Sequence, residues 1–171
     1  MKRTLLVHVF AAMVLSVSAS ASLATDESSL KAAYLYNFTK FIRWPDEQRA
    51  NLTLCSMGDE ELAKALDSLV GKPVRNMQIR VRQVVNVQDT VQCDLVFIPA
   101  GQPHLIERVC QAVSGHPILT VSESADMLPK GVMLALIQKD NRMGFEIDLV
   151  ATRSHGFEVS AKLLQLARKV Y

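Results

Sequence analysis

The sequence predicts a three-layer α/β domain, α/β/α, with a mostly parallel, mixed sheet of five or six strands that ends in a hairpin. Strand and helix patterns alternate through the first two thirds of the chain, which is typical of βαβ units and a parallel sheet. Residues 93–98 form a short, almost wholly apolar run, as expected for a central strand that is covered on both faces. Near the end, two apolar segments flank Asp140-Asn141, which predicts an antiparallel hairpin. The first and last helices are expected to cover the faces of the sheet.

The first predicted element is an amphipathic helix from Lys31 to Pro45, KAAYLYNFTKFIRWP. Asp26 and Ser28 are its candidate N-caps, and Pro45 ends it because a proline disfavours the helical conformation of the preceding residue, Trp44. At 100° per residue, Ala32 and Thr39 take the polar side. The predicted apolar face holds Leu30, Ala33, Tyr34, Phe38 and Phe41, with Leu35 and Ile42 at its edge.

Two positions of this helix carry alternative interpretations. Asn37, in the middle of the apolar face, is either a buried amide bonded to neighbouring backbone or a polar group in a binding cleft. Trp44 is either an interface anchor at the surface or a partly buried core residue. The candidate partner-binding residues are Tyr34, Asn37, Phe38, Phe41 and Trp44.

The rest of the chain predicts the remaining elements in order. Strands are predicted at residues 51–57, 78–85, 93–98, 118–122, 132–138 and 143–150. Helices are predicted at residues 59–70 and 105–113, with a helical turn over 150–154. Ser160 is expected to cap a final helix whose apolar stripe comprises Leu163, Leu166, Ala167 and Val170.

The amino-terminal residues predict an export signal. A short basic start precedes an apolar stretch over residues 5–17 and an A-x-A cleavage signal at residues 19–21. Residues 1–21 are therefore predicted to be a signal peptide and residues 22–171 a single periplasmic domain that does not span the membrane after cleavage. A cut after Ala24 and an uncleaved amino-terminal anchor are the alternatives.

Removal of this signal changes the charge balance. The full sequence carries 19 Lys and Arg against 17 Asp and Glu, and Lys2 and Arg3 leave with the signal. The mature chain is then formally neutral. Since it also lacks a basic stripe with interleaved aromatic residues, we expect no nucleic-acid partner.

The first strand–turn–helix is where a dinucleotide-binding fold holds phosphate. Here residues 56–61 contain one glycine followed by three carboxylates, which already complement the helix amino terminus and repel an anion. We therefore expect no nucleotide cofactor.

Other candidate chemistry is equally sparse. His104, His116 and His155 share no metal-ligand spacing, although a metal site assembled by folding stays open. Glu146 and Asp148 lie on one face of a strand, where an exposed hairpin face is the preferred interpretation over a paired acid. We predict no catalytic residue, metal or cofactor, so the chain is expected not to be an enzyme.

Cys55 and Cys93 lie in two predicted strands that are expected to be neighbours, where two Cβ atoms come within disulfide range. An exported compartment permits such a bond. We predict a Cys55–Cys93 disulfide, with two buried free thiols as the alternative. Cys110 is then left over as a core residue of the helix at 105–113.

Several segments together resemble a known family. They are KAAYLYNFTKFIRWP, NLTLCSMGD, CDLVFIP and SAKLLQLARKV, with S-x-K-L-L-x-L-A as the most specific part of the ending. The chain resembles the YfiR family of bacterial periplasmic proteins over essentially all of its mature length. The resemblance implies an α/β fold and a homodimer.

The resemblance also implies a function. Proteins of the YfiR type bind the periplasmic sensor domain of an inner-membrane diguanylate cyclase, YfiN, and hold it inactive, which lowers cyclic di-GMP and biofilm formation. An outer-membrane lipoprotein, YfiB, can sequester them. The alternative from a different class is a periplasmic small-ligand-binding module that reports to another membrane receptor.

Overall fold

The described part of the chain covers most of the predicted domain. A computed structural model describes residues 19–124, 127–139 and 142–171. The predicted signal peptide lies outside these ranges except for residues 19–21, which belong to the first helix, and the predicted hairpin turn at Asp140-Asn141 also lies outside them.

Helices and strands alternate along the described ranges. The helices are α1 (Ala19–Phe41), α2 (Glu60–Asp67), a 3-10 helix (Val87–Gln92), α3 (Pro103–Ala112), α4 (Leu149–Ser154) and α5 (Ala161–Leu166). The strands are β1 (Ile42–Arg43), β2 (Asn51–Met57), β3 (Pro73–Val74), β4 (Met77–Val84), β5 (Leu95–Ile98), β6 (Leu119–Ser124), β7 (Leu134–Lys139), β8 (Arg142–Ile147), β9 (Glu158–Val159) and β10 (Lys169–Val170).

Eight of these strands form one mixed sheet in the order β10-β8-β7-β6-β5-β2-β4-β3. Strands β4, β2, β5, β6 and β7 run parallel, and β8 returns antiparallel to β7 as the predicted hairpin. The mostly parallel α/β fold is confirmed, but the sheet is larger than the predicted five or six strands. The two additional strands are β3 and β10, which have two residues each and are too short to show a periodic pattern.

The sheet lies between two layers of helices. Leu35 of α1, Leu62 of α2 and Leu163 of α5 pack in one core with apolar residues of the sheet. Val109 of α3 and Val87 of the 3-10 helix belong to a second core on the other face. The first and last helices therefore share a face, contrary to the prediction that they cover both, and α3 with the 3-10 helix supplies the third layer.

Both ends of α1 differ from the prediction. The described part of the helix already runs from Ala19, so Asp26 and Ser28 lie inside it and not at its amino-terminal end. It ends at Phe41, because Ile42 then pairs with Val159 as strand β1 against β9. Strand pairing thus stops the helix before Trp44-Pro45 does.

The last helix is shorter than its apolar stripe suggests. Ser160 caps it as predicted, since its Oγ accepts a hydrogen bond from the backbone N–H of Leu163 at 3.2 Å. The backbone N–H of Arg168 then donates to the carbonyl of Phe145 at 2.8 Å and brings the chain to the edge of the sheet. The prediction of a stripe through Leu166 and Val170 is therefore wrong: Leu166 is exposed, and Val170 belongs to β10.

Trp44 is a buried anchor for the segment that leaves α1. It is 3% exposed. Its indole Nε1 donates to the carbonyl oxygen of Asp94 at 3.1 Å, and its ring packs edge-on against Phe157 with the centroids 5.5 Å apart. The hypothesis that Trp44 is an interface anchor at the surface is therefore wrong. Trp44 is a core residue, as the alternative interpretation proposed.

Replacement of Trp44 tests this anchor. Trp44→Ala leaves a cavity and removes the hydrogen bond to Asp94, so we expect it to lower the free energy of unfolding by about 3–5 kcal/mol. Trp44→Phe keeps much of the packing and should cost less. Urea titration followed by circular dichroism measures both variants. The control is Leu166→Ala, which removes an exposed side chain and should change stability by about 0.5 kcal/mol at most. Equal stability of Trp44→Ala and the control would contradict the burial.

Candidate functional site

Two of the predicted partner-binding residues hold α1 on the sheet. Phe38 is fully buried and packs edge-on against Phe145 of β8, with the ring centroids 5.1 Å apart. Tyr34 lies beside them, half-buried, and its hydroxyl donates to the carbonyl of Met143 at 2.8 Å. These aromatic side chains join the helix to the hairpin from inside the molecule, so neither presents its ring as an open contact surface.

Asn37 lies on the opposite, exposed side of α1, so its predicted place in the middle of the apolar face is wrong. The buried face is rotated from the predicted one: Ala32 and Thr39 are buried, whereas Leu30 is 46% exposed. Thr39 tolerates burial because its hydroxyl donates to the carbonyl of Tyr36 at 2.7 Å.

Lys31 is a second polar residue on the buried face. Its Nζ lies 2.8 Å from Glu27 and 2.9 Å from Glu123 of β6. Burial lowers the pKa of Lys31, but its hydrogen bonds to both carboxylates outweigh that effect and raise the pKa above its ordinary value. The ion pairs thus stabilise the charged form and fix the middle of α1 against the sheet.

The outward side of α1 forms an exposed surface that combines aromatic rings with lysines. We define this basic aromatic surface as Tyr36, Asn37, Lys40, Phe41, Lys72 and Lys162. Tyr36 lies between two ammonium groups, with Lys40 Nζ 5.2 Å and Lys72 Nζ 5.5 Å from the ring centroid. Lys162 of α5 lies 5.5 Å from the ring of Phe41 in the same way. These distances are in the range of cation–π contacts, which hold the lysines over the rings while leaving their charges accessible.

Arg75 fixes the edge of this surface at the carboxyl end of α1. Its guanidinium donates to the carbonyls of Ile42 at 2.8 Å and of Thr39 and Lys40 at 3.4 Å each. It also pairs with Glu47 at 3.2 Å. A cation at these carbonyls is favourable because the carboxyl end of a helix carries partial negative charge. Arg75 therefore positions the surface, and its own charge is already balanced.

Unlike Arg75, the lysines of the basic aromatic surface have no acidic side chain that balances their charge among the described residues. Within the described ranges, Lys40, Lys72 and Lys162 make no salt bridge to an acidic side chain. A surface of half-buried aromatic rings and exposed, unneutralised cations suits a protein partner that presents acidic side chains.

The sequence alone reveals only part of this surface. Asn37 and Phe41 belong to the candidate set and do lie on it. Tyr36 and Lys40 are spaced i, i+4, a pattern that could have suggested their contact. Lys72 and Lys162 could not have been found in this way, since they come from elements distant in sequence.

The Cys55–Cys93 disulfide is present, in agreement with the pairing inferred from the sequence. Cys55 lies in β2, and Cys93 ends the 3-10 helix just before β5, so the predicted strand at 93–98 begins two residues later than expected. The two Cα atoms are 5.9 Å apart, and both side chains are buried. Because β2 and β5 are parallel neighbours, the bond joins adjacent parts of the sheet.

Asp94, next to the disulfide, connects several elements. Its carboxylate accepts a hydrogen bond from the backbone N–H of Thr53 at 2.7 Å and pairs with Arg49. Its carbonyl accepts from Trp44 Nε1 and from the backbone N–H of Leu119. Burial raises the pKa of the Asp94 carboxyl, although the Thr53 N–H and the Arg49 charge oppose this effect. The role of Asp94 is thus to tie elements together.

Cys110 lines a groove between α3 and residues 129–131. The groove has a volume of about 700 Å³, and its lining residues include Ile106 and the oppositely charged Glu107 and Lys130. Cys110 is half-buried and not a full core residue as expected; its Sγ lies 3.1 Å from the carbonyl oxygen of Gly131. Burial raises the pKa of this thiol to about 11, which keeps it protonated at neutral pH.

The two carboxylates of the hairpin have structural roles. Glu146 is buried, which corrects the prediction of an exposed face, and it accepts hydrogen bonds from the Tyr171 hydroxyl and the backbone N–H of Leu128. Asp148 caps α4 by accepting from the N–H of Ala151 at 2.7 Å.

The carboxyl ends of β2 and β5 form the edge where doubly wound folds commonly bind ligands. There Asp59 caps α2 by accepting from the N–H of Leu62 at 2.9 Å, and Glu60 and Glu61 lie in its first turn. This arrangement is unfavourable for an anionic ligand.

Within residues 19–124, 127–139 and 142–171, no three His, Cys, Asp or Glu side chains come together as metal ligands. None of the helices in these ranges has the length and apolar character required to cross a bilayer.

Comparison with known families gives one match over most of the chain. The family model DUF4154, described as YfiR/HmsC-like, matches residues 28–168. The matched range runs from within α1 to just beyond α5 and includes the disulfide and the whole basic aromatic surface.

Solved structures share the fold at low identity. A conserved domain protein from Vibrio cholerae superposes with a TM-score of 0.52 at 10% identity, over 82% of this chain and 60% of that one. The ABC domain of Streptococcus pneumoniae, solved in complex with L-Trp, gives a TM-score of 0.50 at 8% identity, over 70% of this chain and 55% of that one. The chain thus spans less than two thirds of either protein, and these similarities concern the fold alone.

The disulfide is expected to contribute to stability. Closing a loop with a sequence separation of 38 should stabilise the fold by about 3–4 kcal/mol in the chain-entropy model. The double variant Cys55→Ala, Cys93→Ala should lose this contribution in urea titration, whereas Cys110→Ala should lose much less. Non-reducing peptide mapping should recover the linked peptides. Alkylation of both Cys55 and Cys93 in unfolded, unreduced protein would contradict the bond.

The thiol of Cys110 should react slowly and in a pH-dependent manner. The thiolate is the nucleophile, and a pKa of about 11 in place of 9.0 lowers its population at pH 8 roughly a hundredfold. Iodoacetamide labelling, quantified by mass spectrometry, should therefore be slow in the folded protein and accelerate as the pH approaches 11. Unfolded protein is the reference. Equal rates for both forms at pH 8 would refute the raised pKa.

Proposed function

The chain belongs to the YfiR/HmsC-like family of periplasmic regulators, and from that membership we propose that it represses a membrane diguanylate cyclase of the YfiN type. In this proposal the chain, exported by its signal peptide, binds the periplasmic sensor domain of the cyclase and keeps the enzyme inactive. Cyclic di-GMP and biofilm formation fall as a result. The chain itself acts without catalysis, as a homodimer.

The observation that carries this proposal is the basic aromatic surface on α1. Aromatic side chains at an interface often contribute a large share of the binding energy, and unneutralised lysines around them favour an acidic partner and speed its association. Tyr36 and Phe41 supply the rings, and Lys40, Lys72 and Lys162 supply the charge.

The candidate partner-binding residues have two kinds of role in this proposal. Asn37, which is exposed, contacts the sensor domain directly, and Phe41, which is half-buried, does so with the part of its ring that reaches the surface. Tyr34, Phe38 and Trp44 support the surface from inside by fixing α1 and the segment that follows it. An outer-membrane lipoprotein of the YfiB type then releases the cyclase by competing for the chain.

The groove beside α3 favours a second candidate function. Its volume of about 700 Å³ is within the range of small-molecule sites, and its lining combines apolar side chains with Glu107 and Lys130. A periplasmic small-ligand-binding module that reports to another membrane receptor would use this groove.

Deletion of the gene tests the repressor proposal. Cyclic di-GMP and surface attachment should rise in the deletion strain, and the effect should vanish when the partner cyclase is also deleted. Quantification of cyclic di-GMP by mass spectrometry measures the change. An unchanged level in the deletion strain would remove the repressor proposal and favour the ligand-binding module.

A charge-reversal variant tests the surface in the same assay. Lys40→Glu with Lys72→Glu opposes an acidic partner and should cost about 2 kcal/mol of binding or more, a factor of roughly thirty in Kd. It should therefore raise cyclic di-GMP although the protein is folded and exported. Arg108→Glu on α3, on the opposite layer, reverses one exposed charge away from the surface; it is the control and should preserve repression. If the lysine variant still represses fully, the basic aromatic surface is not required for repression.

A further inference from the structure

The sheet has an edge at β4 that is only partly covered. β2 pairs with β4 along one side from Gln78 to Val84, whereas β3 covers only Met77 and Gln78 on the other side. One further residue is paired there: the N–H of Ile79 donates to the carbonyl of Lys72 at 3.0 Å, and the carbonyl of Ile79 accepts from Gly71 at 2.9 Å. The outer pairing then stops.

The rest of this edge presents backbone groups in strand geometry. Backbone N–H and C=O groups of alternate residues face the same side of a strand, so Val81 and Gln83 face outward like Ile79. No described residue bonds to these outward groups. The edge therefore has the form that accepts one more strand, and the exposed Val85 extends it by one position.

The side chains along this edge indicate the chemistry of such a strand. Arg80 and Arg82 alternate with Val81 and Gln83, and both arginines are exposed. Arg82 donates to the side-chain oxygen of Gln92 at 2.7 Å, and among the described residues neither arginine makes a salt bridge. An incoming strand with acidic residues at every second position would place its carboxylates beside the arginines.

A second copy of this chain fits the edge poorly. Two antiparallel copies of β4 would bring Arg80 and Arg82 of both chains onto one face, and like charges at neighbouring cross-strand positions are destabilising. The charge pattern therefore favours an acidic strand from a different protein.

We propose that the outer edge of β4, from Arg80 to Val85, takes up an extended acidic segment of the cyclase sensor domain by β-augmentation. This inference rests on the proposed function and adds a second contact to it. The edge is continuous with the basic aromatic surface, because Lys72 pairs with Ile79 through its carbonyl and lies over Tyr36 with its ammonium group. In the bound state, the backbone of the segment pairs with Val81 and Gln83, and its carboxylates pair with the arginines.

A proline at position 83 tests the edge directly. The N–H of Gln83 faces outward, so Gln83→Pro removes a donor that the chain itself does not use, and prolines are tolerated at such edge positions. Gln83→Ala keeps the N–H and is the matched control. The probe is the purified periplasmic sensor domain of the cyclase whose deletion abolishes the effect described above. Gln83→Pro should raise the Kd for this domain at least about tenfold, and Gln83→Ala should leave it within about twofold.

Hydrogen exchange in the wild-type complex gives an independent readout. The amides of Val81 and Gln83 should exchange more slowly when the sensor domain is saturating. Unchanged exchange at both amides would overturn the proposal. Because this measurement uses the wild-type chain, its outcome does not depend on whether Gln83→Pro destabilises the fold. Equal affinity of a folded Gln83→Pro variant would also overturn it and leave the proposed function intact. Absence of binding by the wild-type chain would instead overturn the proposed function, and this inference with it.

Discussion

The burial of the inner face of α1 against the sheet determines which side of the helix can meet a partner. Leu35, Phe38 and Ile42 are fully buried, and burial of each such side chain stabilises by about 1.5–3 kcal/mol. Phe38 meets Phe145 edge-on, an arrangement that favours one ring geometry. Rotating the helix to expose these residues would lose several of these contributions at once. Tyr36, Asn37 and Lys40 are therefore fixed outward.

Asp94 and its neighbours hold the segment that follows α1. Asp94 lies directly before β5, at the amino-terminal end of that strand. Trp44 reaches the carbonyl of Asp94, while Arg49 and Thr53 bond its carboxylate. The disulfide through Cys93 lies one residue away. Because these contacts share one short segment, a substitution that removes one of them should also weaken the others. This edge of the molecule is thus suited to a structural role, and the exposed face of α1 to recognition.

The two proposed contact regions meet at Lys72. Its backbone is part of the pairing at the start of the β4 edge, and its ammonium group covers Tyr36 of α1. Ile79 packs in the same core as α1, and side chains alternate along β4, so Arg80 and Arg82 project to the opposite face of the sheet, where Arg82 bonds Gln92. A segment paired to the edge would therefore contact the arginines with one of its faces and the α1 side with the other. The combination of backbone pairing with charge provides both affinity and register, which a flat charged surface alone does not.

The sequence by itself determined the α/β class, the hairpin, the six longer strands and the pairing of Cys55 with Cys93. These features follow from local patterns, namely apolar runs, period-two alternation and turn residues, together with the tendency of successive parallel strands to be neighbours. The family could also be inferred, because its motifs are contiguous segments. The proposed contact surface on α1 could be inferred only in part, through Asn37 and Phe41. The two-residue strands escaped prediction because they exist only through pairing with the sheet. Only the tertiary structure decided which face of α1 is buried, since Thr39 satisfies its hydroxyl within the helix and Lys31 its charge with Glu27 and Glu123, contacts that hydropathy does not record.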